Sequence, residues 1–148
     1  MRSVTDCLNN LKSKGFKMTL QRLAVIEHLE GNHRHPSAAD LYEEVKKKYP
    51  MISFATVYNT LKILNEIQEI KQLTIGFDKA NFDPNTKPHD HFLCKECGRI
   101  IDIFPEKKIE IKEIDGHLIN ECQVYYYGIC SECMKAKKKK KGEDPCLR

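Results

Sequence analysis

Two C-x-x-C pairs, Cys94 with Cys97 and Cys130 with Cys133, constrain this chain more than any other feature. Four thiolates at that spacing can close a tetrahedron around zinc, and a shell of four cysteines leaves no open position for chemistry. The segment between the pairs must then fold back so that the second meets the first. Gly98 follows the first pair and relieves the tight turn there. A redox role for the pairs is the other reading. Seven cysteines are present in all, the remainder being Cys7, Cys122 and Cys146. An odd number without a secretion signal argues against a structural disulfide set. Cys7 reads as a small core residue and Cys146 as a free thiol in a loose tail. In a small domain the zinc supplies much of the stability, about 10–16 kcal/mol in zinc-finger peptides.

The first half carries helical periodicity. Leu8 and Leu11 share one face of a short helix that ends near Gly15. Thr19 caps a second helix, with Leu23, Ile26 and Leu29 inward and Gly31 closing it. Ser37 opens a third, and Asp40 three residues on resembles a capping box with Asp in place of Glu. Leu41, Val45 and Tyr49 are its apolar positions, and Pro50 stops it. Ser53 caps a fourth. There Phe54, Val57, Leu61 and Leu64 are expected to face the core, and Ala55, Thr56, Tyr58, Asn59 and Lys62 to lie on the other face. Two β-rich runs, 70–75 and 79–82, flank Gly76, Phe77 and Asp78 and read as a hairpin. Helices followed by a hairpin make a winged helix-turn-helix pattern, with the helix after Ser53 as recognition candidate and the hairpin as wing.

The polar run PNTKP, bounded by Pro84 and Pro88, is a break. Beyond it, 91–93, 100–104 and 123–129 read as strands and 106–114 as a short helical stretch. The fold class is therefore α+β. A winged helix-turn-helix domain (1–84) and a hinge (85–88) precede a small α/β domain with a four-cysteine zinc site (89–134), and a lysine-rich tail (135–148) is expected to be disordered. The 148 residues, 41% of them hydrophobic, suffice for two such small domains. The net charge of +4 divides as +2 over 1–84, −3 over 85–134 and +5 over the tail, so bulk charge says little about nucleic acid. No run approaches the roughly 20 apolar residues of a membrane span, and residues 1–10 lack a signal-peptide core. The chain reads as cytoplasmic, with no membrane partner.

A second metal set is less local. His89 and His91 alternate along one strand, so their imidazoles face the same side. Asp102 lies among Ile100, Ile101, Ile103 and Phe104 and needs a partner if it points inward. A metal site on the two histidines stands beside a plainer reading as exposed hinge residues. Spacing gives no reason to add His35 or Asp83.

The ordered motifs resemble the ferric-uptake-regulator family. They are Met18-Thr19-Leu20-Gln21-Arg22, His35-Pro36 with Ala39-Asp40-Leu41-Tyr42, and Ser53-Phe54-Ala55-Thr56-Val57-Tyr58-Asn59-Thr60-Leu61. His89-Asp90-His91-Phe92-Leu93-Cys94-Lys95-Glu96-Cys97-Gly98 and Tyr127-Gly128-Ile129-Cys130-Ser131-Glu132-Cys133 follow. The resemblance spans about residues 5–134 and is strongest to the peroxide-sensing members, because Asp102 stands where iron-responsive members usually carry glutamate. It implies a regulatory Fe²⁺ or Mn²⁺ held by His35, Asp83, His89, His91 and Asp102, beside the structural Zn²⁺ of the cysteines. It also implies a repressor, not an enzyme, whose ligand histidines, His35 first and then His89, are oxidised by peroxide in the presence of iron. Implied partners are a palindromic operator in double-stranded DNA and a second copy of the chain, a homodimer formed through the second domain. DNA contacts are expected on Ala55, Thr56, Tyr58, Asn59 and Lys62, with Arg22 and Lys71 on phosphate. The chain departs from the pattern at Leu20 (often proline), at Gln68 (commonly a turn glycine), at Cys122 (often a histidine of an additional metal site) and in a shortened segment between Asp102 and Cys130. The competing readings are an iron- or zinc-responsive regulator of the same family and, remotely, a metal-dependent hydrolase, for which no separate general base stands out.

Overall fold

The computed structural model describes residues 3–76, 79–106 and 111–142. The chain divides into two compact units, Met1–Pro88 and His89–Arg148.

Four helices and a hairpin build the first unit: α1 (Val4–Ser13), α2 (Leu20–Leu29), α3 (Ala38–Lys48), α4 (Phe54–Glu66), β1 (Lys71–Leu73) and β2 (Asn81–Asp83). Each helix begins at a hydroxyl cap, because the first backbone N–H groups have no partner within the helix. The hydroxyls of Ser3, Thr19, Ser37 and Ser53 accept from the N–H three residues on. Asp40 answers Ser37 reciprocally, and the Ser37 hydroxyl holds the Asp40 carboxyl below its ordinary range. The buried stripes at Leu11, Ile26, Leu29, Leu41, Val45, Val57, Leu61 and Leu64 meet in one core, which Cys7 also joins. Each such aliphatic side chain contributes about 1.5–3 kcal/mol by leaving water.

Phe54 corrects the expected pattern: it is 47% exposed. As the first residue of α4 its side chain points back beyond the packed surface. It rests edge-on against Tyr42, with ring centroids 5.7 Å apart, and stacks on Tyr58 at 6.4 Å. After α4 the chain turns through Gln68 at φ 61°, a left-handed position that favours glycine. The hairpin follows, antiparallel, with Lys71 opposite Asp83 and Leu73 opposite Asn81. Residues 77 and 78 of the expected turn lie outside the described residues. The loop before α3 docks on this hairpin. Ser37 bridges Asn81, and the Phe82 N–H donates to the Pro36 carbonyl at 3.0 Å.

The second unit centres on β3 (Asp90–Cys94), which pairs antiparallel with β4 (Ile100–Ile103) and parallel with β7 (Tyr125–Gly128). Between β4 and β7, β5 (Glu113–Ile114) and β6 (His117–Leu118) form a small hairpin. This replaces the C-terminal end of the helix expected at 106–114. Positive φ at Asp115 and Gly116 closes a two-residue turn, which overrides the weak helical pattern. Residues 107–110 of that stretch lie outside the described residues.

Helix α5 (Ser131–Gly142) is a second correction, since lysine content predicts disorder from residue 135. The helix is seeded at the second cysteine pair, where the Met134 N–H donates to the Cys130 carbonyl at 2.9 Å. Lysine propagates a helix well, and Glu132 sits at the end where the helix dipole favours an anion. Lys137 Nζ also reaches Glu96 Oε1 at 2.7 Å. Residues 143–148, with Cys146, lie outside the described residues.

Candidate metal centres and nucleic-acid face

Parallel pairing of β3 with β7 brings the two cysteine pairs together. Cys94 ends β3 opposite Gly128 on β7, and Cys130 follows two residues later. Gly128 lets the Phe92 ring lie close, since a Cβ there would stand 3.2 Å from it and the ring would have to shift by a few tenths of an ångström. Gly98 turns the first pair at φ 71°. The four sulfurs lie within 4.8 Å of one another, with Cys94–Cys133 and Cys97–Cys130 both at 3.9 Å. Zinc–sulfur bonds of about 2.3 Å put tetrahedral sulfurs about 3.8 Å apart, whereas a disulfide needs about 2.05 Å. The cluster therefore fits a zinc ion, with all donors supplied by the chain.

The surroundings divide the thiols. The Cys130 N–H, 3.3 Å from Cys94 Sγ, and the N–H groups of Cys97 and Glu96 bring the Cys94 thiol down to about 6. Hydrogen bonding with Cys130 and burial push Cys133 up to about 12. Arg99 lowers Cys97, donating from Nε at 3.5 Å. From Nη2 it reaches Cys130 Sγ at 3.8 Å and the Glu132 carboxylate. That carboxylate is held below its ordinary range by Arg99, and Arg99 is raised in turn. Nothing in the spacing of cysteines points to Arg99 or Glu132, although both adjoin the motif.

Imidazole and carboxylate donors lie in two sets, one in each unit. In the first, His35 and Asp83 are buried, with His35 Nε2 3.8 Å from Asp83 Oδ1. Asp83 ends β2 and also accepts from the Asn85 N–H at 2.7 Å. His35 stands at φ 49°, a backbone region that costs a non-glycine residue about 1–2 kcal/mol. Asn81 offsets this strain by donating from Nδ2 to the His35 carbonyl at 2.7 Å. No local pattern marks Asn81, since its role depends on a partner 46 positions away.

In the second unit, Asp102 sits opposite His91 in the β3–β4 register. Its Oδ1 lies 3.4 Å from His89 Nε2 and 3.9 Å from His91 Nε2. The two imidazoles have ring centroids 4.5 Å apart, and Phe104 stacks on His89 at 5.4 Å. The plainer reading of exposed hinge histidines does not fit, for His91 is buried and the His89 side chain is 1% exposed. Nitrogen and oxygen donors of this kind suit Fe²⁺, Mn²⁺ or Zn²⁺.

On α4, Ala55, Tyr58, Asn59 and Lys62 are exposed, and their spacing places them on one helical face. Thr56 is half-buried, and its hydroxyl is engaged with the Ser53 hydroxyl at 2.9 Å. Arg22 is half-buried and donates to the Lys17 carbonyl. No helix among the described residues is long and apolar enough to cross a membrane.

A capped helix presenting a polar face beside a β-hairpin, with a thiolate cluster and imidazole–carboxylate sets, defines a metal-responsive DNA-binding regulator. Comparison with known proteins gives the particular group. The Ferric uptake regulator family matches residues 13–127, and the chain belongs to it. The Peroxide-responsive repressor PerR of Staphylococcus epidermidis is 33% identical over 132 residues, covering 86% of this chain and 88% of that protein. The structure of PerR from Streptococcus pyogenes, described as a basis for peroxide sensing and gene regulation, shares 28% identity at a TM-score of 0.54. It covers 90% of this chain and 94% of that one. The Francisella tularensis ferric uptake regulator with iron shares the fold, with TM-score 0.67, 24% identity and coverage of 81% and 96%. Members of the family are dimeric, DNA-binding transcriptional regulators rather than enzymes.

Proposed function

We propose that this regulator is a metal-gated repressor whose signal is hydrogen peroxide. His35, Asp83, His89, His91 and Asp102 act as ligands of one regulatory ion, while Cys94, Cys97, Cys130 and Cys133 hold structural zinc. Asp102 carries the reading: a short carboxylate, set across the strand pair, faces both His89 and His91. Two carboxylates and three neutral imidazoles would balance the charge of a divalent cation. Fe²⁺ would supply reductive cleavage of the peroxide O–O bond; Mn²⁺ fits the same donors without that chemistry. The product is an imidazole of His35 or His89 that has gained one oxygen atom, with the other oxygen leaving as water. A ligand so altered binds metal less well. Because donors come from both units, occupancy and DNA affinity are coupled through differential binding.

The DNA face is Ala55, Thr56, Tyr58, Asn59 and Lys62, with Arg22 on phosphate. A homodimer presents it twice to a palindromic operator. Substituting Asp102→Ala abolishes metal-stimulated gel shift of an operator selected from random duplexes, while the zinc content stays unchanged. Mild peroxide adds one oxygen atom to the His35 peptide of the iron-loaded protein in mass spectrometry. A metal response that survives Asp102→Ala rejects the ligand set. Intact histidine peptides after peroxide assign the chain to simple iron or zinc sensing.

A further inference from the structure

The guanidinium of Arg99 touches both cysteine pairs at once. It donates to Cys97 Sγ at 3.5 Å in the first pair and to Cys130 Sγ at 3.8 Å in the second, and its Nη2 also reaches the Glu132 carboxylate. Cys97 is exposed, so the zinc cluster meets solvent where Arg99 lies. Four thiolates around Zn²⁺ carry a net charge of −2 by formal count, about the most nucleophilic state such a cluster has. A donor set that is planar and permanently charged suits two sulfurs and a carboxylate together; a lysine ammonium has no such fork.

We infer that Arg99 is a positioning residue that shields the zinc-bound thiolates from electrophiles by bridging the two cysteine pairs. In the zinc-loaded protein every ligand sulfur is already a thiolate, so a neighbouring cation cannot raise the thiolate fraction. What remains is its effect on intrinsic nucleophilicity, which falls as the sulfur becomes less basic. The reaction held back is attack of Cys97 Sγ on a peroxide oxygen. An S–O bond forms, the O–O bond breaks and hydroxide leaves, which gives a sulfenic acid. The Cys130 thiolate, 3.9 Å away, then displaces a second hydroxide to form a disulfide. Two electrons pass from sulfur to peroxide, and the zinc ion is released. Slowing this step leaves a cell's peroxide free to act elsewhere on the protein before its scaffold fails.

The test uses the full-length, zinc-loaded chain. Zinc release is followed with a chromogenic chelator under hydrogen peroxide and, separately, N-ethylmaleimide, while mass spectrometry orders the modified cysteines. Arg99→Ala is expected to release zinc about tenfold faster with both reagents, with Cys97 and Cys130 modified first. Arg99→Lys keeps the charge but not the fork and is expected to fall between the two. Wild-type rates in Arg99→Ala overturn the inference, as does acceleration in which all four cysteines react at one rate, the mark of general unfolding. Should Arg99→Ala fail to fold, Arg99→Lys decides: faster release led by Cys97 and Cys130 supports shielding, and a wild-type rate overturns it.

Discussion

Asn81 has no chemistry of its own, yet it makes a strained histidine affordable. His35 lies in the left-handed region, and the loop that carries it is fixed by the Asn81 amide on its carbonyl and by the Phe82–Pro36 hydrogen bond. Replacing Asn81 by alanine leaves a buried carbonyl without that donor. The expected loss is about 1–3 kcal/mol of unfolding free energy, read from urea denaturation. Regulatory metal affinity should fall with it, as a loose His35 binds less well. Unchanged stability together with unchanged metal affinity would show that Asn81 supports nothing.

At the scale of elements, the two cysteine turns act as a pair with unequal thiols. Cys94 stands near 6 and Cys133 near 12, so at neutral pH the metal-free cluster holds Cys94 as thiolate and Cys133 as thiol. Zinc uptake at about pH 7.5 must therefore expel the Cys133 proton, while Cys94 has little to give. As pH falls through about 6 the proton gained by Cys94 has to be displaced as well, and affinity declines more steeply. Calorimetry in buffers of different ionisation enthalpy, at about pH 7.5 and 5.5, measures the protons released. A proton count that does not rise on acidification contradicts this division.

Elements also show what the sequence made legible. Caps at Thr19, Ser37 and Ser53 were readable because a cap is a local bond three residues long. The cysteine pairs were readable because zinc geometry imposes a spacing. The facing of His89 and His91 followed from strand alternation, but only the β3–β4 register brings Asp102 to them. His35 meets Asp83 through a loop docking on a hairpin, and no local pattern records such a contact. Phe54 was misplaced because helical periodicity has no term for a helix end. The lysine-rich helix was missed because composition ignores the anchored turn that seeds it.

For the whole molecule, stability has two sources. The first unit has a continuous apolar core; the second is a small sheet whose cysteine cluster sits at one end. Once all metal is stripped with a strong chelator under reducing conditions, warming should therefore unfold the second unit first and spare the first unit. Helical circular dichroism should largely persist, since α1–α4 belong to the first unit. Tyrosine signals of residues 125–127 should lose dispersion in NMR spectra. A single cooperative collapse of both signals would mean that the first unit cannot stand alone.

The side-by-side strands β3 and β7 carry one last implication, for the ribosome. Parallel neighbours cannot be joined by a tight turn, and here 33 positions separate Cys97 from Cys130. The central strand thus waits, with one edge open, until nearly the last residues of the sheet have been translated. The helical half needs nothing from that segment and can fold as it emerges. Zinc delivery consequently cannot be completed before Cys130 and Cys133 have emerged, and a chain stalled ahead of them would leave a finished helical unit attached to an unfinished sheet.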